Sequence, residues 1–265
     1  MEAARPSFLL AVWSLLAREV LRFVRQRNRI IGAVGTPLLF WVLLGSGFGR
    51  SFRPPGLSGE MDYLAFFFPG AILLVVLFTT ILASISIIED RNEGFLQGVL
   101  ATPTPRLAIV LGKVLGAATL GCVQGVFILL LAPLAGVSYG PLQFLIACGV
   151  IFLTAMALSG LGFLFAWRTD SVQGFHAVMN LLLFPMWLLS GAFFPASGAS
   201  VWLRAIMTIN PLSYGLGAMR HVLYEPGTAE RLGDPGFWPA MAVLTGFTVA
   251  VLALSALAAR RSGGG

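Results

Sequence analysis

Charged residues are scarce in this sequence. Only 11% of its 265 residues are Asp, Glu, Lys or Arg, whereas a soluble domain carries about 25%. A soluble domain of this length would need more polar side chains to cover its surface, yet 57% of the residues are hydrophobic. The composition excludes a soluble enzyme and a disordered chain. It predicts a polytopic protein of the lipid bilayer.

Cysteine is also rare, and catalytic motifs are missing. Cys122 and Cys148 lie inside uncharged runs and are interpreted as small buried hydrophobes, which excludes a disulfide scaffold or a metal site. The two histidines are predicted near opposite membrane faces, so they cannot share one catalytic site. Gly112-Lys113 is followed by Val114, so it does not form a phosphate-binding Walker A loop. We therefore predict that the chain is not an enzyme and holds no cofactor or metal, and that any ATP is hydrolysed on another chain.

Charge is absent from the middle of the long apolar runs. An ion-coupled carrier places ionisable side chains near the bilayer midplane, but here every Asp, Glu, Lys and Arg falls in a loop or close to the end of a run. Gln124 and Asn180 are the most deeply placed strongly polar side chains, and either could hydrogen-bond a neighbouring helix. This distribution argues against a secondary transporter.

Arginine is plentiful near the N-terminus. Arg18, Arg22, Arg25 and Arg29 recur at helical spacing and form one basic stripe. The pattern predicts an amphipathic helix over residues 8–29 that lies in the cytoplasmic membrane interface. A signal anchor is the alternative, although no Ala-x-Ala cleavage site follows the first apolar run. Because base-stacking aromatics are not interleaved with the arginines, we expect lipid and not nucleic acid as the partner of this stripe.

Six runs are long enough to cross a bilayer, which takes about 20 apolar residues. From Val114 to Trp167 there are 54 consecutive uncharged positions, enough for two helices joined by a turn at 138–141. The sequence therefore predicts an all-α membrane protein that forms a single domain over residues 1–265. The predicted transmembrane spans are 30–48, 63–88, 107–136, 142–167, 172–194 and 236–259.

The basic residues set the orientation of the spans. With the N-terminus inside, twelve Arg and Lys residues fall on the cytoplasmic side. Five fall on the outer side: Arg50, Arg53, Arg204, Arg220 and Arg231. Because cytoplasmic loops are enriched in basic residues, both termini are predicted to be cytoplasmic.

Two connections between the spans have patterns of their own. The cytoplasmic segment 89–105 holds acidic residues, then four apolar residues at helical spacing between Phe95 and Leu100, and then two prolines. It predicts a short helix with an exposed apolar edge at Phe95 and Leu96. The outer segment 195–235 is moderately apolar and too short to cross twice, so it predicts a re-entrant or interfacial hairpin.

Three stretches resemble the permease, or membrane subunit, of a bacterial ABC-2 type exporter of the drug or lipo-oligosaccharide export kind. The first is the basic N-terminal helix, residues 17–25. The second is Glu93-Gly94 and Leu100-Ala101-Thr102-Pro103, which lead to Gly112-Lys113. The third is 189–195, then Trp202-Leu203-Arg204, 210–214 and Arg220. Since all three occur in order on six spans, the resemblance covers nearly the whole chain.

The resemblance implies partners and site residues. In such exporters two permeases pair, and two separate ABC-type ATPase subunits, which bind ATP and Mg²⁺, dock on a cytoplasmic coupling helix. The implied ATPase-coupling residues are Glu89, Asp90, Arg91, Glu93, Gly94, Phe95, Leu96, Thr102 and Pro103. The interfacial helix carries Arg18, Arg22, Arg25 and Arg29, and the implied substrate exit carries Phe193, Phe194, Trp202, Tyr214 and Arg220. An aromatic belt at the membrane interface explains most of these aromatics equally well.

The implied activity is ATP-driven export of a hydrophobic or amphipathic cargo, such as a drug, an antibiotic or a lipid-like molecule. The implied location is the bacterial plasma (inner) membrane, in a homodimer or a pair with a close homologue. Two alternatives stay open. One is a permease for a lipid-linked oligosaccharide or polysaccharide, and the other is a non-transporting membrane anchor for an ATPase.

Overall fold

The computed structural model describes residues 7–48 and 61–261 of the chain, so Arg50 and Arg53 of the orientation argument lie outside the described residues. In chain order, the α-helices within these ranges are α1 (Phe8–Arg25), α2 (Arg27–Phe48), α3 (Tyr63–Asn92), α4 (Phe95–Ala101), α5 (Arg106–Leu129), α6 (Pro141–Arg168), α7 (Val172–Trp187), α8 (Val201–Ile209), α9 (Pro211–Leu223), α10 (Thr228–Arg231) and α11 (Phe237–Arg261). A single π turn, Leu188–Ala192, continues α7. The described residues contain no β-strand.

Six of these helices are long and apolar enough to cross a membrane, namely α2, α3, α5, α6, α7 with its π turn, and α11. The predicted all-α fold with six spans is therefore confirmed for the described residues. Two span ends differ from the predicted ones by four residues or more. α3 continues four residues past 88, to Asn92. α5 ends at Leu129, and a short 3₁₀ turn and Gly136, with φ at 73°, then reverse the chain before α6.

α3 is the central helix of the fold. It packs against α2, α5, α6 and α7, and the side chains from Phe66 to Leu77 are buried. Two polar contacts tie it to its neighbours. The hydroxyl of Thr79 donates to Oε1 of Gln124 at 2.5 Å, and the indole of Trp187 donates to the carbonyl of Gly70 at 2.9 Å. The expectation that Gln124 bonds a neighbouring helix is thus confirmed.

One end of the molecule is built where α3 finishes and α5 begins. α1 begins at Ser7, whose hydroxyl accepts a hydrogen bond from the amide of Leu10 at 3.3 Å. From there α1 packs along α5, and the short helix α4 packs against the end of α3. Because α2 follows α1 directly, four helices and the start of a fifth meet at this end.

The other end carries the segment between α7 and α11. There α8 and α9 meet at Asn210, whose side chain accepts a hydrogen bond from the amide of Leu212 and so begins α9. Asn210-Pro211 is therefore the point where one helix ends and the next begins. α9 packs against α6 and α11, and most of its side chains are buried.

Candidate functional site

Eight charged side chains form ion pairs at the end where α3 finishes and α5 begins. We name them the charge cluster: Arg18, Glu19, Arg22, Arg29, Glu89, Asp90, Glu93 and Lys113. Four are cations and four are carboxylates, so their formal charges cancel. They come from α1, α2, α3, α5 and the turn between α3 and α4. The cluster therefore connects parts of the chain that are up to 94 positions apart in sequence.

Lys113 lies at the centre of the charge cluster. Its ammonium contacts the carboxylates of Glu19 and Asp90, and its Nζ lies 3.4 Å from the hydroxyl of Ser86. The side chains of the three ions are at most 3% exposed. A buried ion without a partner costs several kcal/mol. Each of these charges is therefore stable in this position because the others are present.

Arginines surround this buried centre. Arg18 donates two hydrogen bonds to Asp90, both at 2.7 Å, in the fork geometry that makes arginine–carboxylate pairs strong. Arg22 donates to Asp90 at 2.6 Å and to Glu93 at 3.0 Å. The hydrogen bonds with Asp90 raise the pKa of Arg18 above its ordinary value. The guanidinium of Arg18 is therefore charged at neutral pH.

The predicted basic stripe faces the protein rather than open water or lipid. Arg18, Arg22 and Arg29 all pair with carboxylates of α3 or the turn after it, and Arg25 is the exposed member of the four. The predicted helix boundary at residue 29 is wrong, because α1 ends at Arg25 and Arg29 belongs to α2. The hydropathy pattern could not predict that the arginines face the protein, since it does not reveal which carboxylates lie near them in the fold.

Two glycines of α5 let α1 approach closely. A Cβ added at Gly112 would lie 2.6 Å from Cβ of Leu15, and one added at Gly116 would lie 2.7 Å from Cβ of Glu19. Both distances are shorter than carbon contacts allow. Small residues four positions apart are a common way for membrane helices to pack backbone to backbone. Here they bring Glu19 within reach of Lys113.

The helix α4 follows a sharp turn at Gly94, where φ is 79°. Leu96 is only 3% exposed, and the ring of Phe95 is half-buried beneath Arg18, whose Cζ lies 3.6 Å from the ring centroid. The predicted exposed apolar edge is therefore wrong at Leu96, while Phe95 is partly accessible. α4 has only seven residues and packs against α3, and this contact covers Leu96.

A groove of about 500 Å³ runs between α1 and α4. Its lining is mostly apolar and includes Leu10, Ala11, Phe95, Gly98 and Val99, and Thr102 and Thr104 complete it. Residues 101–103 beside it are exposed. This groove, and not the edge predicted from the sequence, is the accessible apolar feature that α1 and α4 form together.

The structure distributes the nine predicted coupling residues over three environments. Glu93, Gly94, Thr102 and Pro103 are exposed, Glu89, Arg91 and Phe95 are half-buried, and Asp90 and Leu96 are buried. Asp90 is 0% exposed within the charge cluster, so it is not available for direct contact with a partner. Arg91 donates to the carbonyls of Trp167 and Thr169, at 2.6 and 3.0 Å, and so caps the end of α6.

The predicted exit residues also separate. Trp202 is 65% exposed, whereas Phe193, Phe194 and Tyr214 are half-buried. Arg220 is 0% exposed, which contradicts an accessible position at an exit. Its guanidinium pairs with Asp234 at 3.1 Å and donates to the carbonyl of Gly191 at 2.8 Å. Gly191, with a φ of 98°, belongs to the π turn that ends α7. Because Arg220 donates to its carbonyl, Arg220 holds this turn in place.

A buried tyrosine hydroxyl ties the same end to α3. Tyr224 donates to the carbonyl of Ala65 at 2.6 Å. Burial raises the pKa of Tyr224, so the hydroxyl keeps its proton and remains a donor. Together with Arg220, this contact makes α9 part of the core around α3.

Sequence reasoning missed Glu19 and Lys113 as site residues. A signal for each was present. Glu19 is the one acid among the arginines of the first helix, and Lys113 is the only lysine of the chain and the only charge between Arg106 and Arg168. A single charge inside a long apolar run indicates a buried partner.

Comparisons with known proteins agree with this architecture. Residues 10–224 match the family model described as ABC-2 type transporter. The chain is 25% identical over 249 residues to the daunorubicin resistance ABC transporter permease protein DrrB1 of Streptomyces coeruleorubidus, which covers 91% of this chain and 82% of that protein. It is 28% identical over 198 residues to nodulation protein J of Rhizobium leguminosarum bv. trifolii, which covers 73% of each protein. The family match spans well over half of the chain, and the six apolar helices provide the membrane spans, so this protein belongs to the ABC-2 type transporter permease family.

Proposed function

We propose that this permease pairs with a second copy in the bacterial plasma (inner) membrane and exports a hydrophobic or amphipathic cargo. A separate ABC-type ATPase, which carries the ATP and Mg²⁺, docks on the cytoplasmic end. The observation that carries the proposal is the groove between α1 and α4, because it is apolar and accessible. The charge cluster joins α1 to α3 and α5, and Arg18 of that cluster lies over Phe95 of α4.

The groove suits a protein partner that inserts apolar side chains or a short helix. Apolar grooves between helices are a recurring docking geometry. Polar and apolar residues next to α4 are also exposed. Glu93, before α4, offers a carboxylate, and residues 101–103, at its end, offer a short apolar and hydroxyl surface. Closure of the paired ATPases would push on this surface and move α3 and α5, and thereby open the path between the two permeases outward.

We expect α1 to lie in the cytoplasmic membrane interface. Its arginine side is turned to the protein, while Leu9, Trp13 and Leu21 on its outward side are more than half exposed. Exposed apolar side chains of this kind favour the boundary between headgroups and acyl chains. Both termini then lie on the cytoplasmic side, and the α8–α9 hairpin lies at the outer face.

The outward face of α7 supports pairing of two copies. Gln173, His176, Asn180 and Leu181 recur at helical spacing and are exposed, and the three polar side chains have no hydrogen-bond partner within residues 7–48 and 61–261. Asn180 lies about 12 Å from the start of the helix. Polar side chains at such depth are unfavourable against lipid tails and favour contact with protein or water. A second permease, with the cargo path between the copies, would provide both.

A drug or lipid-like cargo is favoured over other classes. The exposed faces of α2 and α7 carry no Asp, Glu, Lys or Arg beyond their first turns, so a path between copies would be uncharged and weakly polar. One relative is named for resistance to a drug. Both observations agree with an amphipathic cargo.

The test is reconstitution of the permease with the ATPase that co-purifies from its own membranes. That partner should carry a Walker A motif, and amphipathic drugs should stimulate ATP hydrolysis and accumulate in inside-out vesicles. Stimulation by lipid-linked oligosaccharides instead would transfer the proposal to glycan export. Binding without cargo-dependent hydrolysis would indicate an anchor.

A matched pair of variants tests the docking surface. Gly98 faces the groove, and a side chain there would meet nothing within 4 Å, as is also true of Gly246 on α11. Gly98→Trp should fill the groove and weaken ATPase binding by about tenfold or more. Gly246→Trp should leave binding unchanged. Equal binding by both variants would contradict docking at the groove.

A further inference from the structure

Lys113 joins three helices through two carboxylates. It belongs to α5, and its ammonium contacts Glu19 of α1 and Asp90 of α3. Two more cations, Arg18 and Arg22, reach Asp90 from α1. The direction of α1 relative to the end of α3 is therefore set by charges that converge on a buried point.

Stability alone does not account for this arrangement. Apolar side chains of similar volume often replace buried ion pairs at no cost in stability. α1 already has apolar contacts with α5, through Leu15 at Gly112 and through Phe23, which packs with Ala117. What ion pairs add to such contacts is a fixed geometry, because their hydrogen bonds are directional.

Retention at the cytoplasmic surface does not account for it either. Arg25 and Arg27 are exposed and are free to interact with water or headgroups. Arg18 and Arg22, which precede them on α1, instead form ion pairs with Asp90. Glu19 and Lys113 are 3 and 4% exposed, so neither contributes to the surface charge.

We propose that Lys113 is a positioning residue for energy coupling, which fixes α1 to α3 and α5 so that the docking surface and these spans move as one body. The inference rests on the proposed function, because it requires an ATPase that acts on the groove. Lys113 contacts neither ATP nor the docking surface. It acts by holding the carboxylates of Glu19 and Asp90 together.

The loss of Lys113 should separate binding from coupling. Without the ammonium, Glu19 would keep only Ser86 and a distant Arg18 contact of 3.7 Å. Leu15 and Phe23 would still hold α1 near α5, so the groove would remain, but the angle of α1 would no longer be fixed. ATPase binding should therefore persist while its movement is no longer transmitted to α3 and α5.

The experiment compares Lys113→Met, Lys113→Arg and Asp170→Asn in vesicles with the ATPase. Asp170 is a fully exposed acid at the same end of the molecule and serves as the control for loss of a surface charge; its ion pair with Arg91, at 3.7 Å, is exposed and therefore weak. We expect Lys113→Met to bind the ATPase normally, to continue hydrolysis and to lose about tenfold or more in transport per ATP, a typical size for coupling between sites. Lys113→Arg should recover part of the loss, and Asp170→Asn should match the wild type.

A disulfide between α1 and α5 tests directly whether Lys113 acts by holding these helices in position. With Cys122 and Cys148 replaced by alanine, Leu15→Cys and Gly112→Cys are introduced next to Lys113→Met. An ideal Cβ at position 112 lies 2.6 Å from that of position 15. A disulfide needs about 3.5–4.5 Å, so the helices have to part by about 1 Å. Because this separation itself disturbs the packing of α1 on α5, the reference is the same cysteine pair with Lys113 retained. If Lys113 acts by position, oxidation should restore the coupling of the methionine variant to the level of that reference, and reduction should remove it again.

Several outcomes would overturn the inference. One is transport by Lys113→Met within about twofold of the wild type, below the smallest coupling typical of linked sites. Another is complete disulfide formation, seen as a gel shift, without recovery of coupling. If Lys113→Met does not insert, Glu19→Gln/Lys113→Met keeps the charge balance, and the same loss of coupling is expected of it. Absence of ATPase binding or transport by the wild type would instead refute the proposed function.

Discussion

Gly116 should not tolerate even one methyl group. A Cβ at this position would lie 2.7 Å from Cβ and 3.2 Å from Cγ of Glu19. In an exposed helix interior, alanine is better than glycine by about 0.8–1.0 kcal/mol. Gly246, in the middle of α11, is exposed, and a Cβ there meets nothing within 4 Å. The same substitution at the two positions should therefore change stability in opposite directions.

The size of the effect follows from the contact distances. Carbon atoms pack at about 3.5–4.0 Å, so the new methyl has to displace Glu19 by about 1 Å. Overpacking of this kind costs about 1–3 kcal/mol. It also moves the carboxylate away from Lys113, and complete loss of one partner of a buried pair costs about 3–5 kcal/mol. A partial weakening of the pair by about 1 kcal/mol would offset the gain in helix propensity, so we expect Gly116→Ala to be less stable by about 1–3 kcal/mol.

The assay is thermal loss of the monodisperse purified protein in detergent, followed by size exclusion. For a chain of this size, 1 kcal/mol corresponds to about 2–4 °C. Gly116→Ala should melt several degrees below the wild type and Gly246→Ala at or slightly above it. Equal or higher stability of Gly116→Ala would refute the close packing of α1 on α5 and, with it, the geometry of the charge cluster.

Three further predictions test other contacts. Since Lys113 is the only lysine, an amine-reactive reagent should label no side chain of the folded protein, whereas Glu19→Gln or denaturation should expose Lys113 to labelling, as mapped by mass spectrometry. Arg220→Met leaves the carboxylate of Asp234 buried without its cation. The variant should lose about 3–5 kcal/mol of stability in the same thermal assay, and Asp234→Asn in the same chain should recover part of this loss. Gln124→Leu removes the hydrogen bond with Thr79, and a double-mutant cycle should give only about 0.6 kcal/mol for the pair, the average for such bonds within membranes. An interaction energy near zero between Arg220 and Asp234, or one of several kcal/mol between Gln124 and Thr79, would contradict these assignments.

The spans could be predicted because they follow from local composition. Twenty apolar residues in a row have few alternatives to a membrane helix, and Pro141 or Asn210-Pro211 begin helices for reasons that lie within a few residues. The end of α3 could not be placed in this way. Its last turn holds Glu89 and Asp90, which suggest water, but cations from α1 and α2 neutralise them.

The sequence predicted the candidate coupling segment but not the contacts that its residues make. Glu93, Gly94 and Thr102 are exposed, and their contact with an ATPase stays a prediction. Leu96 was expected to be exposed because periodicity shows an apolar side of a helix and does not show what covers it. Lys113 and Glu19 were missed for a related reason, since they are 94 positions apart and their pairing depends on two glycines that let the helices meet.

The unsatisfied polar face of α7 has a consequence for the life of the protein in the cell. A single copy in the bilayer would keep Asn180 against hydrocarbon, where an amide is costly. If two copies pair through this face, pairing covers Asn180, and an unpaired copy leaves it exposed to lipid. We expect copies that stay unpaired to be degraded rather than stored.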